Sequence, residues 1–233
     1  MSSSTEVALS YPGKPSTFSG LCDVRRMDVE VVRSFWASVK RIGAGGVISP
    51  SARGGEREIL VVSGWIAETR DLPDGRRQIF AFLLPGDVAS VGGGRHAAKR
   101  GLIALTNVEI ADAGALGEGD ERGSARLEAL RRREERLLQQ IVRIGRLTAK
   151  ERVLNLLLEL YDRLEAVGLV KGDTFRLPLT QEMIADALGL SVVHINRTLQ
   201  HLRRERILAF SAGTVTLSQR DKLADYAFYE GRP

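Results

Sequence analysis

The sequence predicts an α+β chain with an N-terminal β-roll, a long helix suited to dimerisation, and a C-terminal winged helix-turn-helix. Three stretches carry this prediction. Residues 59–110 hold β-rich runs around a Pro-Asp-Gly turn, residues 122–147 repeat Leu and Ile at helical spacing, and residues 177–218 hold two capped helices and a hairpin. At 233 residues the chain exceeds the roughly 100 to 200 usual for one domain, so two modest domains are expected.

Residues 1–20 are rich in Ser, Pro and Gly without apolar periodicity, and residues 1–27 are expected to be a poorly ordered N-terminus. The β-roll is placed at residues 28–119. It opens with a short helix, since Val31, Val32, Phe35, Trp36 and Val39 recur at helical spacing. Two runs, Ile59 to Ile66 and Gln78 to Leu84, then flank Pro73-Asp74-Gly75 as a β-hairpin. A third run, Leu102 to Ile110, follows a glycine-rich loop.

A dimerisation helix is expected over residues 120–147. Leu127, Leu130, Leu137, Ile141 and Ile144 step by threes and fours, with Glu134 as the one break. So narrow a seam suits a parallel coiled coil better than a helix packed on its own domain, where the apolar face is wider. A winged helix-turn-helix domain is placed at residues 148–220 and a tail at 221–233. Thr148 caps its first helix, with Glu151 three residues on as in a capping box and Gly168 at the end.

In LPLTQEMIADALGLSVVHINRTLQHLRRERIL, Thr180 caps one helix, Gly189 permits a left-handed turn, and Ser191 caps a second helix. Ile195, Leu199 and Leu202 point inward in that second helix. Val192, Val193, His194, Asn196, Arg197, Gln200, His201, Arg203 and Arg204 remain outside, with no acid among them. Ile207 to Phe210 and Thr214 to Leu217 then flank a turn as a small wing. An αα-hairpin with a solvated basic face would share the two helices. The caps, turn, outward residues and wing occur in the order that major-groove reading requires.

Composition narrows the function. Hydrophobic residues make up 43% and charged residues 27%, as in soluble globular proteins. No apolar run reaches the roughly 18 residues of a membrane span, and the polar start lacks a signal segment, so a cytoplasmic protein without membrane contact is expected. The 34 Lys and Arg against 29 Asp and Glu leave a charge of +5, which suits a phosphate-rich partner without requiring one. Cys22 is the sole cysteine, so one chain builds neither a disulfide nor a cysteine-ligated cluster, and any redox sensing rests on that thiol. No metal site, cofactor or catalytic constellation has persuasive spacing, so an enzyme is not expected.

Residues 28–218 resemble the Crp/Fnr regulators. The strings that carry the resemblance are GWIAETRDLPDGRRQIFAFLLPGDV and LTQEMIADALGLSVVHINRTLQHLRRERIL, the latter similar to FixK-like proteobacterial branches. The resemblance implies a homodimer on double-stranded DNA, a pseudo-palindromic operator and RNA polymerase as a protein partner. It places Arg197 on the arginine that contacts guanine, with Asn196, His194 and Val193 beside it as base-reading positions. Val193 stands where many members carry glutamate. Valine accepts no hydrogen bond from cytosine, so the half-site is expected to differ there. Thr180, Gln181, Ser191, Arg203 and Arg204 are expected at phosphates, although Ser191 serves equally well as a cap alone.

The sensor half departs from the family. A cyclic-nucleotide pocket needs a glutamate for the ribose hydroxyl, and Val88 to Val108 contains no acid, so weak or no binding is expected. Gly92, Gly93, Gly94 and Arg95 form either an anion-binding nest or a plain solvent loop. His96 is the lone histidine of this half, which leaves haem without support. The competing function is a small-molecule receptor module that signals through protein contacts.

Overall fold

The computed structural model describes residues 17–18, 22–23, 29–49, 57–92, 100–116, 120–211 and 213–231. They fall into two compact units, one drawn from residues 1–69 and 82–135 and the other from 70–81 and 136–233.

In the first unit, short strands β1 (Thr17–Phe18) and β2 (Cys22–Asp23) pair antiparallel, and helix α1 (Val29–Ala37) buries Phe35. Further along the chain, without regard to the division into units, come β3 (Lys40–Ile42), β4 (Arg57–Ser63), β5 (Ile66–Asp71), β6 (Arg77–Leu83), β7 (Val88–Val91), β8 (Gly101–Ala104) and β9 (Val108–Asp112). They form two sheets, ordered β3-β9-β4-β7 and β6-β5-β8. Strand β4 is central because Ile59, Leu60, Val61 and Val62 are all buried, so both of its faces meet apolar neighbours. Leu60 lies opposite Val88 on one side and Ala111 on the other.

Two expected strands are each divided. The run Ile59 to Ile66 breaks at Gly64, whose φ is +86° and where a Cβ would lie 2.4 Å from the Asn107 carbonyl oxygen. The strand leading into Pro73-Asp74-Gly75 is therefore β5. The run Leu102 to Ile110 divides into β8 and β9 because its middle serves other segments. Thr106 Oγ1 accepts the Trp65 N–H at 3.0 Å, and Asn107 Oδ1 accepts the Ala44 N–H at 3.2 Å. The expected turn itself is built by Asp74, whose Oδ1 accepts the Arg76 N–H at 3.1 Å.

Helix α2 (Asp120–Arg146) is long, and α3 (Ala149–Glu165) follows after two residues. Leu127, Leu130, Leu138, Ile141 and Val142 of α2 are exposed. Leu137 and Ile144, expected in the seam, are half-buried. After Glu134 the open stripe takes a second four-residue step, which the alternating pattern did not anticipate.

In the second unit α3 is the core helix. Val153, Leu154, Leu156, Leu157, Leu158, Leu160, Tyr161 and Leu164 are all buried, more than one amphipathic face supplies. Around it stand α4 (Gln181–Leu188), α5 (Val192–Arg204) and α6 (Arg220–Tyr226). Strands β10 (Val170–Lys171), β11 (Thr174–Arg176), β12 (Leu208–Ser211) and β13 (Thr214–Leu217) form one sheet, ordered β10-β11-β13-β12. The β12–β13 hairpin is the expected wing. Hairpin β10–β11 was not expected, being too short for a period-two pattern to register. The expected tail is also structured: α6 buries Leu223, and Asn155 Nδ2 donates to the Ala227 carbonyl at 2.9 Å.

A cluster of buried charge joins the end of α2 to α3. Arg143 donates to Glu159 Oε2 at 2.5 Å and to Asn155 Oδ1 at 2.9 Å, and Arg163 donates to Glu159 Oε1 at 2.8 Å. Burial works to raise the Glu159 carboxyl, but the Arg143 and Arg163 guanidiniums outweigh it and hold the group below its ordinary value of 4.5. A folded pKa below the unfolded one means that protons favour the unfolded chain. The Glu159 contribution is therefore present near neutrality and is lost as pH falls below about 4.5 through the lowered value. Urea unfolding of wild type is expected to show a midpoint that is flat near neutrality and falls in acid. Glu159→Gln is expected to be less stable by about 3 to 5 kcal/mol at neutral pH, with a shallower acid decline.

Candidate nucleic-acid interface

The candidate interface is built by α4, α5, the wing and the start of α3. Thr180 has extended backbone angles, and its Oγ1 accepts the Met183 N–H at 3.2 Å, closing the open end of α4. Ile184, Ala185, Ala187 and Leu188 are buried, which fixes the face that α4 turns inward. Gly189 then adopts φ +63°, and the Leu190 N–H returns to the Ala185 carbonyl at 3.2 Å. Ser191 repeats the cap on α5, its Oγ accepting the His194 N–H at 3.2 Å.

Ile195, Leu199 and Leu202 anchor α5, and Thr198 joins them by donating its hydroxyl to the His194 carbonyl at 2.9 Å. The opposite face is open. Val192, Val193, His194, Arg197, Gln200, Arg203 and Arg204 are exposed, while Asn196 and His201 are half-buried. Arg197 has no hydrogen-bond or ion-pair partner among the described residues. Asn196 Nδ2 donates to Gln181 Oε1 at 3.0 Å, so these two expected contact residues are tied together across the turn. Arg203 stacks 5.1 Å from the Phe210 ring of the wing, which steadies one cation.

A groove runs between the start of α3 and α5, lined by Thr148, Lys150, Ser191, His194, Arg197 and His201 among others. Glu151 accepts the Thr148 N–H at 2.7 Å, so α3 opens with the expected capping contact. Lys150 extends the basic face beyond α5 and was missed by sequence reasoning. Its only signal was its place in the first turn after Thr148, and nothing local tied it to residues some fifty positions on. Glu205, just past α5, is occupied by Lys150 at 3.3 Å and by His201 at 3.0 Å when the imidazole is protonated. The outer face of α5 from Val192 to Arg204, which carries no carboxylate, can therefore hold a polyanion.

The first unit holds a buried acid that sequence reasoning also missed. Glu68 lies on β5, outside the stretch from Val88 to Val108, and is 2% exposed. Its two oxygens accept from Arg133 Nη2 at 2.8 and 2.9 Å, and Arg100 also donates to it. The carboxylate is thus used inside the chain, binding α2 to the β-roll. Gly92 ends β7 with φ +83°, whereas Gly93, Gly94, Arg95 and His96 lie outside the described residues.

Two capped helices, a left-handed glycine, a basic outer face and a wing together define a DNA-binding transcription regulator. A Crp-like helix-turn-helix domain model matches residues 151–226. The chain is similar to the nitrogen fixation regulation protein FixK of Bradyrhizobium diazoefficiens, 35% identical over 164 residues covering 67% of this chain and 68% of the relative. FixK of Azorhizobium caulinodans is 32% identical over 174 residues, covering 72% and 70%. The solved structure of FixK2 from Bradyrhizobium japonicum aligns with a TM-score of 0.68 at 27% identity, covering 80% of this chain and 95% of that one. A CRP-family regulator from Thermus thermophilus, 22% identical with a TM-score of 0.63 and covering 81% and 96%, shares the fold. The chain belongs to the Crp/Fnr family and is a sequence-specific DNA-binding transcription regulator. No described helix is long and apolar enough to cross a membrane.

The turn between α4 and α5 depends on Gly189. Nothing lies within 4 Å of a Cβ placed there, so Gly189→Ala meets backbone strain alone. It is expected to cost about 1 to 2 kcal/mol in urea unfolding. Thr180→Ala is expected to cost about 1 kcal/mol by loss of its cap.

Proposed function

We propose that the chain binds a pseudo-palindromic operator as a two-fold homodimer, with α5 in the major groove and Arg197 paired to guanine O6 and N7 in each half-site. The open, acid-free face of α5 carries this reading, because Arg197 has no competing partner among the described residues and sits centrally on that face. Bidentate geometry makes arginine the side chain that best selects guanine. Thr180, Gln181, Ser191, Arg203 and Arg204 act as phosphate-contacting residues, joined by Lys150. RNA polymerase is the proposed protein partner at promoters.

The dimer forms along α2. Leu127, Leu130 and Ile141, with Leu138 and Val142, supply an apolar stripe open to a second copy, and Leu137 and Ile144 flank it. Two parallel copies give the two-fold symmetry that a palindrome needs, with half-site centres about 34 Å apart.

Arg197→Ala, still folded and dimeric, is expected to lose roughly 1 to 3 kcal/mol of affinity per half-site and the preference for guanine at that base. Neutralising Arg204 is expected to weaken all sequences alike and to lower the salt slope by about 0.9 for each phosphate charge left without its cation. Mobility shifts on matched, guanine-substituted and random duplexes at several salt concentrations check both. Retention of the guanine preference by Arg197→Ala would overturn the assignment.

Ile141→Asp places a charge within the stripe. It is expected to convert a dimer to a monomer in sedimentation and to abolish operator binding at micromolar protein. A wild-type chain that sediments as a monomer with operator bound would refute the dimer.

A further inference from the structure

Two residues of the candidate interface are not explained by charge or by packing. Val192 and Val193 open α5, and they are 45% and 62% exposed. The inner face of the helix is already filled by Ile195, Leu199 and Leu202. The valines are therefore not core residues, and leaving them in water has no structural return.

Their position limits what they meet. Val193 lines the groove with His194, Arg197 and Lys150. It lies four residues before Arg197, hence on the same face and about 6 Å away along the helix axis. Base pairs are stacked about 3.4 Å apart, so side chains with that separation reach base pairs one or two steps from each other. Against a hydrogen-bonding base edge, valine would strip water from a donor or acceptor and return nothing. The major-groove edges carry a single apolar group, the C5 methyl of thymine.

We infer that Val193, with Val192 widening the same apolar patch, reads a thymine methyl one or two base pairs from the guanine taken by Arg197. This rests on the reading of α5 as the major-groove helix. The surroundings favour DNA over a protein partner. The patch is set among Arg197, His194 and Lys150, and no carboxylate lies on α5 from Val192 to Arg204. The resulting half-site joins guanine and thymine within three base pairs, one chosen by hydrogen bonds and the other by shape and apolar contact.

The test removes only the methyl. An operator is selected from random duplexes with the full-length protein, and each thymine within two base pairs of the Arg197-dependent guanine is replaced by deoxyuridine. Thymines elsewhere in the operator control for altered duplex stiffness. Wild type is expected to bind one uracil-substituted half-site roughly fourfold more weakly, the worth of one buried methyl group. Val193→Ala, at an exposed position and checked by circular dichroism, is expected to bind the thymine and uracil duplexes equally while keeping its guanine preference. Equal binding of both duplexes by wild type overturns the inference and leaves the Arg197 reading intact. An unchanged thymine-to-uracil ratio in Val193→Ala also overturns it. If selection yields no duplex whose binding depends on Arg197, the reading of α5 fails and this inference fails with it.

Discussion

A single buried guanidinium organises the DNA-binding unit. Arg143, near the end of α2, is 2% exposed and donates to Gln140, Asn155 and Glu159 at 2.5, 2.9 and 2.5 Å. Each acceptor leads elsewhere. Gln140 Nε2 donates to the Ala187 carbonyl of α4 at 2.6 Å, and Asn155 Nδ2 reaches the Ala227 carbonyl beyond α6. Glu159 is shared with Arg163. An unpaired buried charge is too costly to leave, so these segments must meet in one arrangement to satisfy it. Apolar packing alone tolerates sliding, whereas directional bonds to one planar group do not.

The C-terminal end is fastened by the same logic. The Tyr229 hydroxyl donates to Asp162 Oδ2 at 3.0 Å, and burial first, then the Asp162 charge, raises that phenol above its ordinary value of 10.0. It stays neutral and keeps its proton for the bond. Helix α6 therefore belongs to the folded unit even though Leu223 and Ala227 are the only buried apolar residues from Arg220 to Gly231.

How far the sequence could be read depended on how local each determinant was. Thr180, Gly189 and Ser191 act within four or five residues, so the helix-turn-helix was legible in full. The turn at Asp74 was legible for the same reason. Gly64, Thr106 and Asn107 act on partners forty or more residues away, and there two strands were read as single runs. On α2 the spacing named Leu137, Ile141 and Ile144 after Glu134 but did not reveal that Leu138 and Val142 are exposed as well, because neighbouring apolar residues are equivalent until the folded chain shows which of them are covered. Glu68 went unnoticed because a carboxylate in a strand has no signature without Arg100 and Arg133 in view. Lys150 and the Asn196–Gln181 bond were hidden likewise, since each joins separate helices.

The wing sheet has a further consequence. Strand β11 precedes the two helices of the helix-turn-helix and β13 follows them, yet they are neighbours, with Phe175 opposite Val215. Just past their ends the Leu177 N–H donates to the Gly213 carbonyl at 2.9 Å. The intervening helices thus leave and re-enter the frame at one point, like a cartridge in a holder. Substitutions on the outer face of α5 can therefore leave the holder's shape unchanged. New operator preferences can then arise without a new fold.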